Sequence, residues 1–93
     1  MIKTTEHKFA VGDRVIYNPK RTGNGWLAGE HGTVIYVDNT EAAYTVEFDN
    51  PIGEGATDYR ARDNGIEPKP WRGWFCKEEN LEHLEEVGHE KAV

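Results

Sequence analysis

Cys76 is the only thiol in the chain, and its imidazoles are His7, His31, His83 and His89. No two of these five residues stand at the Cys-x-x-Cys or His-x-x-x-His spacing that lets one short segment offer two ligands to zinc. Serine is absent from the sequence, which excludes a serine nucleophile outright. Cys76 lies between Phe75 and Lys77 in an apolar run, the setting of a small buried hydrophobe rather than of a reactive thiolate. Carboxylates are abundant, but nothing in their spacing places two of them across a cleft. Gly23-Asn-Gly25 and Gly53-Glu-Gly55 lack the Gly-Lys-Ser/Thr ending of a phosphate-binding loop. These residues predict no enzyme, no metal site and no cofactor.

Recognition chemistry is better supplied. Tyr17, Trp26, Tyr36, Tyr59, Trp71 and Trp74 are more large rings than one inward face of a small domain can take. Rings interleaved with acids suit a basic or arginine-bearing segment, through ion pairs and cation–π contact. The expected site therefore lies on the two loops 18–31 and 50–72. Trp26, Tyr59 and Trp71 serve as anchors there, and Asp58, Asp63 and Glu54 as charge partners.

The elements that must position them are β-strands. In Tyr44-Thr-Val-Glu-Phe-Asp49 the residues Tyr44, Val46 and Phe48 fall on one face and Thr45, Glu47 and Asp49 on the other. Strict alternation of this kind is the pattern of a half-buried strand. Paired with Gly32-Thr-Val-Ile-Tyr-Val37 across a polar connection, it predicts the central hairpin of a small β barrel. Val11-Gly-Asp-Arg-Val-Ile-Tyr17 reads as a turn at Gly12-Asp13 leading into a strand that Pro19 stops. Residues 18–31 and 50–70, rich in glycine, asparagine and proline, read as long loops. Thr57–Ala61 is a candidate short strand within the second. Trp71–Cys76 is the last strong strand signal. Residues 78–87 fit either a short helical turn followed by a strand or a continuous helix, since Leu81, Leu84 and Val87 have i, i+3 spacing.

The 93 residues make one domain with 37% hydrophobic, 30% charged and 11% aromatic residues. Residues 1–8 and 87–93 are expected to be flexible ends around a barrel at 9–86. No apolar run approaches the length needed to span a bilayer, and a lone cysteine permits no internal disulfide, so a cytoplasmic setting is expected. The net charge of −6 is uneven. Residues 1–37 carry five cations against three acids, and residues 38–93 carry six against fourteen. An acidic chain is a poor match for a phosphate backbone, whose capture depends on Lys and Arg displacing counterions. It suits a basic protein or peptide, or serves solubility alone.

The order Val11-Gly-Asp-Arg-Val15, Gly29-Glu-His-Gly-Thr-Val34, Tyr44-Thr-Val-Glu-Phe-Asp49, Gly73-Trp-Phe-Cys76 and Glu78-Glu-Asn-Leu-Glu82 resembles that of the SH3-like small barrels. This resemblance implies an all-β fold: a five-stranded barrel with two long loops and a short helical turn near the C-terminus. Val46-Glu-Phe-Asp-Asn-Pro-Ile-Gly-Glu-Gly55 is similar to the middle of CAP-Gly domains, although Glu54 stands where their signature carries lysine. Gly12-Asp-Arg-Val15, Gly32-Thr-Val34, Phe48-Asp-Asn50 and Asp58-Tyr-Arg60 are similar to the peptide-binding repeats of Mind bomb-type ubiquitin ligases. The resemblance implies a non-enzymatic protein-binding module, of the kind found among small bacteriophage or mobile-element proteins that bind or inhibit a host protein. The alternative is a nucleic-acid-binding barrel of KOW type, using Lys8, Arg14, Lys20 and Arg21 on the basic N-terminal face.

Overall fold

The computed structural model describes residues 7–84. It is a five-stranded antiparallel sheet with one short helix. The strands are β1 (Arg14–Tyr17), β2 (His31–Asp38), β3 (Ala43–Phe48), β4 (Gly73–Lys77) and β5 (Leu81–His83), and the helix is α1 (Tyr59–Asp63). Short 3₁₀ turns occupy Gly25–Leu27 and Glu78–Asn80. The strand order is β4-β3-β2-β1-β5. The fold is therefore all-β as expected, but β4 and β5 stand at the two ends of the order and do not pair. The sheet is an open one and does not close into the five-stranded barrel that the sequence implies. The flexible ends expected at 1–8 and 87–93 fall outside the described residues, apart from His7 and Lys8. His7 Nε2 lies 2.6 and 2.9 Å from the carbonyl oxygens of Asp38 and Glu41, and the Lys8 amide donates to Glu78.

The alternation in β3 decides the core. Tyr44, Val46 and Phe48 are fully buried, with Val15 and Tyr17 of β1, Val34 of β2, Cys76 of β4 and Leu81 of β5 against them. Phe9 and Leu27 complete the cluster from outside the strands. In β2 the register shifts between Val34 and Tyr36, so that Val34 pairs with Val46 but Val37 pairs with Tyr44. This bulge leaves Ile35 without a partner and returns Val37 to the core side. The four-residue connection to β3 is held by Asp38, whose Oδ1 accepts from the amide and the hydroxyl of Thr40 at 2.8 and 2.6 Å. Of the two readings of 78–87, residues 78–83 follow the first: a 3₁₀ turn and then β5, which pairs with β1 through Tyr17 and Leu81, while Leu84 is helical.

The two buried tyrosines are tied at their hydroxyls, as rings with a polar tip must be when water is excluded. Tyr17 accepts from the Asn24 amide at 2.9 Å. Tyr44 accepts from the Phe9 amide at 3.1 Å and donates to the Glu78 carboxylate. Among the described residues no buried side-chain nitrogen or oxygen lacks a partner. Burial, reinforced by that carboxylate, pushes the Tyr44 phenol from 10.0 up to about 12. The folded chain thus holds this proton more tightly than the unfolded chain. The associated stability is complete below about pH 10 and is lost as pH rises towards 12. Tyr44→Phe is expected to flatten part of that alkaline decline, leaving the share of Tyr17 and Cys76, which burial also raises. Denaturant titrations at about pH 9 and pH 11 check this, and an unchanged pH slope in the variant would contradict it.

Candidate functional site

The 50–72 connection contains no strand at 57–61. Those residues instead enter α1, and the local cause is Asp58. Its side chain accepts from the Arg60 amide at 2.9 Å, capping the helix. Gly65, with φ of 80°, lets the chain turn away after Asp63. Asp58 and Asn64-Gly65 are residue types that start and stop helices, but five helical residues are too few to show a period, and the sequence pattern points to a short strand here instead.

The helix lies on the outer face of β2, β3 and β4. The Thr45 hydroxyl of β3 donates to Asp58, and Asn64 donates to the Tyr36 hydroxyl of β2 at 3.1 Å. The Arg60 guanidinium stacks 3.8 Å from the centre of the Phe75 ring of β4. It also reaches the carboxylates of Asp38 at 3.6 Å and Asp58 at 3.9 Å. Thr45 is on the polar side of β3 and is nonetheless completely buried, because α1 covers it.

The first loop is held from β1. The Tyr17 carbonyl accepts from Gly29 at 2.8 Å, its hydroxyl accepts from Asn24, and Leu27 is buried. These ties set the 3₁₀ turn so that Trp26 packs edge-on against Trp74 of β4, ring centres 5.2 Å apart at 81°. Trp26 still keeps 54% of its surface in solvent. Between this loop and α1 runs a groove of about 340 Å³, whose walls include Asn24, Tyr59, Trp74, Phe75, Lys77 and Asn80.

The six residues expected to form one site are divided by the fold. Both Trp26 and Tyr59 are exposed; Tyr59 lines this groove, whereas Trp26 stands outside its lining and touches Trp74, which lines it. Asp58 reaches the groove wall but is only 4% exposed, and its oxygens are taken by Thr45, the Arg60 amide and the Arg60 guanidinium. It is a clamp within the fold rather than a surface charge. Asp63 is exposed beside Tyr59 in a separate shallow concavity with Arg62 and Glu67. Trp71 is half-exposed in another, with Thr57, Pro68 and Pro70. Glu54 is exposed and lines none of these three. Trp71 also has φ of 64°, a left-handed conformation that costs a side-chain-bearing residue about 1–2 kcal/mol. Its carbonyl accepts from Ile52 at 2.8 Å, which ties the two ends of the long connection together.

Sequence reasoning missed Phe75, Lys77, Arg60 and Asn80 as groove residues. The first two alternate along a strand whose edge position is invisible before the sheet order is known. Asn80 is buried and accepts from the Lys20 amide at 2.7 Å, joining the first loop to the turn before β5.

The basic N-terminal face is partly neutralised. Arg14 forms a two-pronged pair with Asp49 at 2.7 and 2.6 Å, and this bond holds the Asp49 carboxyl below the usual carboxylate range. Lys20 lies 3.4 Å from Glu82. Cys76 is buried, which pushes its thiol well above the usual range and away from nucleophilic chemistry at neutral pH. Among the described residues no group of three His, Cys, Asp or Glu side chains is placed to hold a metal, and no helix is long and apolar enough to cross a membrane. Scans against protein-family models, curated proteins and solved structures each found no match to this chain.

Proposed function

We propose that this chain is a small SH3-like module that binds another protein, as an adaptor or inhibitor, through the groove between its first loop and α1. The observation that carries this reading is Trp26. A tryptophan packed edge-on against Trp74, with half its surface in water, is a preorganised apolar anchor beside a groove that Tyr59 also borders. Buried or half-buried tryptophan and tyrosine are the side chains that most often dominate protein interfaces. The strand order, the long first connection and the 3₁₀ turn before β5 support the SH3-like assignment. The Arg14–Asp49 and Lys20–Glu82 pairs weigh against the nucleic-acid reading, since paired cations release fewer counterions. Exposed acid lies at Asp63, outside the groove and next to Tyr59, so a basic side chain of the partner would be met there rather than at Asp58.

Trp26→Ala and Tyr59→Ala test this directly. Neither ring is in the buried core, so both variants should keep the wild-type unfolding midpoint within a few degrees. Affinity for a partner captured by the wild-type chain should fall at least tenfold for Trp26→Ala, since truncating an interface anchor costs about 2 kcal/mol. Variants that fold and retain full affinity would remove the groove from the site.

A further inference from the structure

We infer that the partner segment binds as an added strand along the free edge of β4, in extended conformation, with an acidic side chain set against Lys77; this rests on the binding reading above. The edge follows from the ladder. β4 is the end of the sheet order, so among the described residues one side of it has no neighbouring strand. On its other side the Phe48 amide donates to the Arg72 carbonyl, and the Glu78 amide to the Ala42 carbonyl. In the antiparallel register Val46 faces Trp74, Thr45 faces Phe75 and Tyr44 faces Cys76. Hydrogen-bonded pairs alternate along such a ladder, so Trp74 and Cys76 bond inwards to β3, and the amides of Phe75 and Lys77 point outwards. Among the described residues no bond from either amide to a loop or side chain occurs. An unpaired row of this kind is a template for another strand.

The groove lies along this edge. Trp74 shares a face with Val46 of the core, whereas Phe75 and Lys77 share the opposite face with Thr45, beneath α1. One groove lined from both faces of β4 must run beside the strand, not over either face. An added strand would therefore send alternate side chains to two different walls. One set meets the Trp26–Trp74 pair, which favours an apolar residue. The next meets Tyr59 and Lys77. The sign of the preferred charge follows from what is already neutralised: Arg60 is held by Asp38 and Asp58, and Asp58 by Thr45 and Arg60. Lys77 is exposed, and among the described residues no carboxylate lies within 4.0 Å of its ammonium. Glu78, Glu79 and Glu82 share a neighbouring concavity with Lys77, but none of them pairs with it within that distance, so an acid of the added strand is the partner left for this ammonium.

The test uses the full chain and a random library of extended peptides displayed on a carrier. Lys77 has φ of −75°, which proline accepts, so Lys77→Pro removes the outward amide without disturbing the ladder. Lys77→Gln removes the charge and keeps the amide. Enriched peptides are expected to carry an acid and alternating apolar residues, and their binding should slow hydrogen exchange at the Phe75 and Lys77 amides. Lys77→Pro should weaken the selected peptide at least tenfold, and Lys77→Gln about threefold. Peptides that bind but protect other amides, or bind Lys77→Pro as well as Lys77→Gln, would overturn strand addition while leaving the binding module intact. Enrichment of peptides that carry basic residues and no acid would overturn the charge assignment. Protection of the Phe75 amide without peptide would assign the edge to other occupants, a second copy if sedimentation shows a dimer and the chain's own residues 85–93 if it shows a monomer. A library that yields no binder at all, together with loss of nothing on Trp26→Ala, would overturn both readings.

Discussion

Replacing Asp58 with alanine is expected to lower the unfolding free energy by about 3 kcal/mol, with no partner present. Three consequences add. The amide of Arg60 loses its cap, which typically costs about 1 kcal/mol. The Thr45 hydroxyl, completely buried, loses the carboxylate it donates to, and an unsatisfied buried hydroxyl costs about 1–3 kcal/mol. Arg60 loses one of its two carboxylates, a small effect because its side chain is half in solvent. In a domain of this size 1 kcal/mol moves the melting temperature by about 4–8 °C, so the shift should be roughly 15 °C. Asp58→Asn keeps an oxygen that can cap and accept, and should recover most of the loss. This outcome separates the fold's use of Asp58 from a role as a partner contact. A surface contact would leave the melting temperature within a degree or two of wild type, and that result would discard the clamp.

Gly32→Val is expected to cost at least as much, by a different route. A Cβ at Gly32 would stand 2.6 Å from Val46 Cγ1, 2.7 Å from the Glu47 carbonyl oxygen and 3.0 Å from the Phe48 Cα. Two of the three are backbone atoms of β3, so no rotamer change relieves the clash. The strands must separate at the Gly32–Phe48 end of their register, against which Asp49 also donates to His31. Overpacking a core typically costs about 1–3 kcal/mol, and displacing a ladder lies at or above the top of that range. Gly53→Ala is the control, since a Cβ there meets nothing within 4 Å, and it should be neutral within about 0.5 kcal/mol. Equilibrium unfolding in urea measures both. A Gly32→Val chain as stable as the control would show that the β2–β3 approach is not set by this residue.

These two residues mark how far a reading of the chain reaches. Gly32 sits in a run whose strand character is written in Gly32-Thr-Val34 and in the alternation of Tyr44, Val46 and Phe48. The same alternation names the core from the sequence alone, because a period of two leaves only one way to bury those three rings and branches together. Pro19 ends β1 for an equally local reason, its missing amide. The bulge at Ile35 has no such mark, since it depends on which residues of β3 lie opposite. The sequence marks Asp58 as an acid within a long loop, and its capping geometry is local. That it is buried is not local. It follows from α1 lying over Thr45, which needs a chain segment thirteen residues further on to return to the sheet.

The rings behave likewise. Composition alone required some of Trp26, Tyr59, Trp71 and Trp74 to stay at the surface, because one small core cannot enclose them all. Which of them share a groove was decided by tertiary structure. Sheet order placed β4 at an edge, the ties from Tyr17 brought Trp26 to Trp74, and the Asp58 clamp set Tyr59 across from them, while Trp71 was turned towards a separate concavity. By itself the sequence determined that this chain is all-β, where its core alternates, and that it holds no serine nucleophile. The open edge of the sheet, the burial of Asp58 and the place of Lys77 in the groove arose only when distant segments packed, since each depends on a contact between residues far apart in the chain.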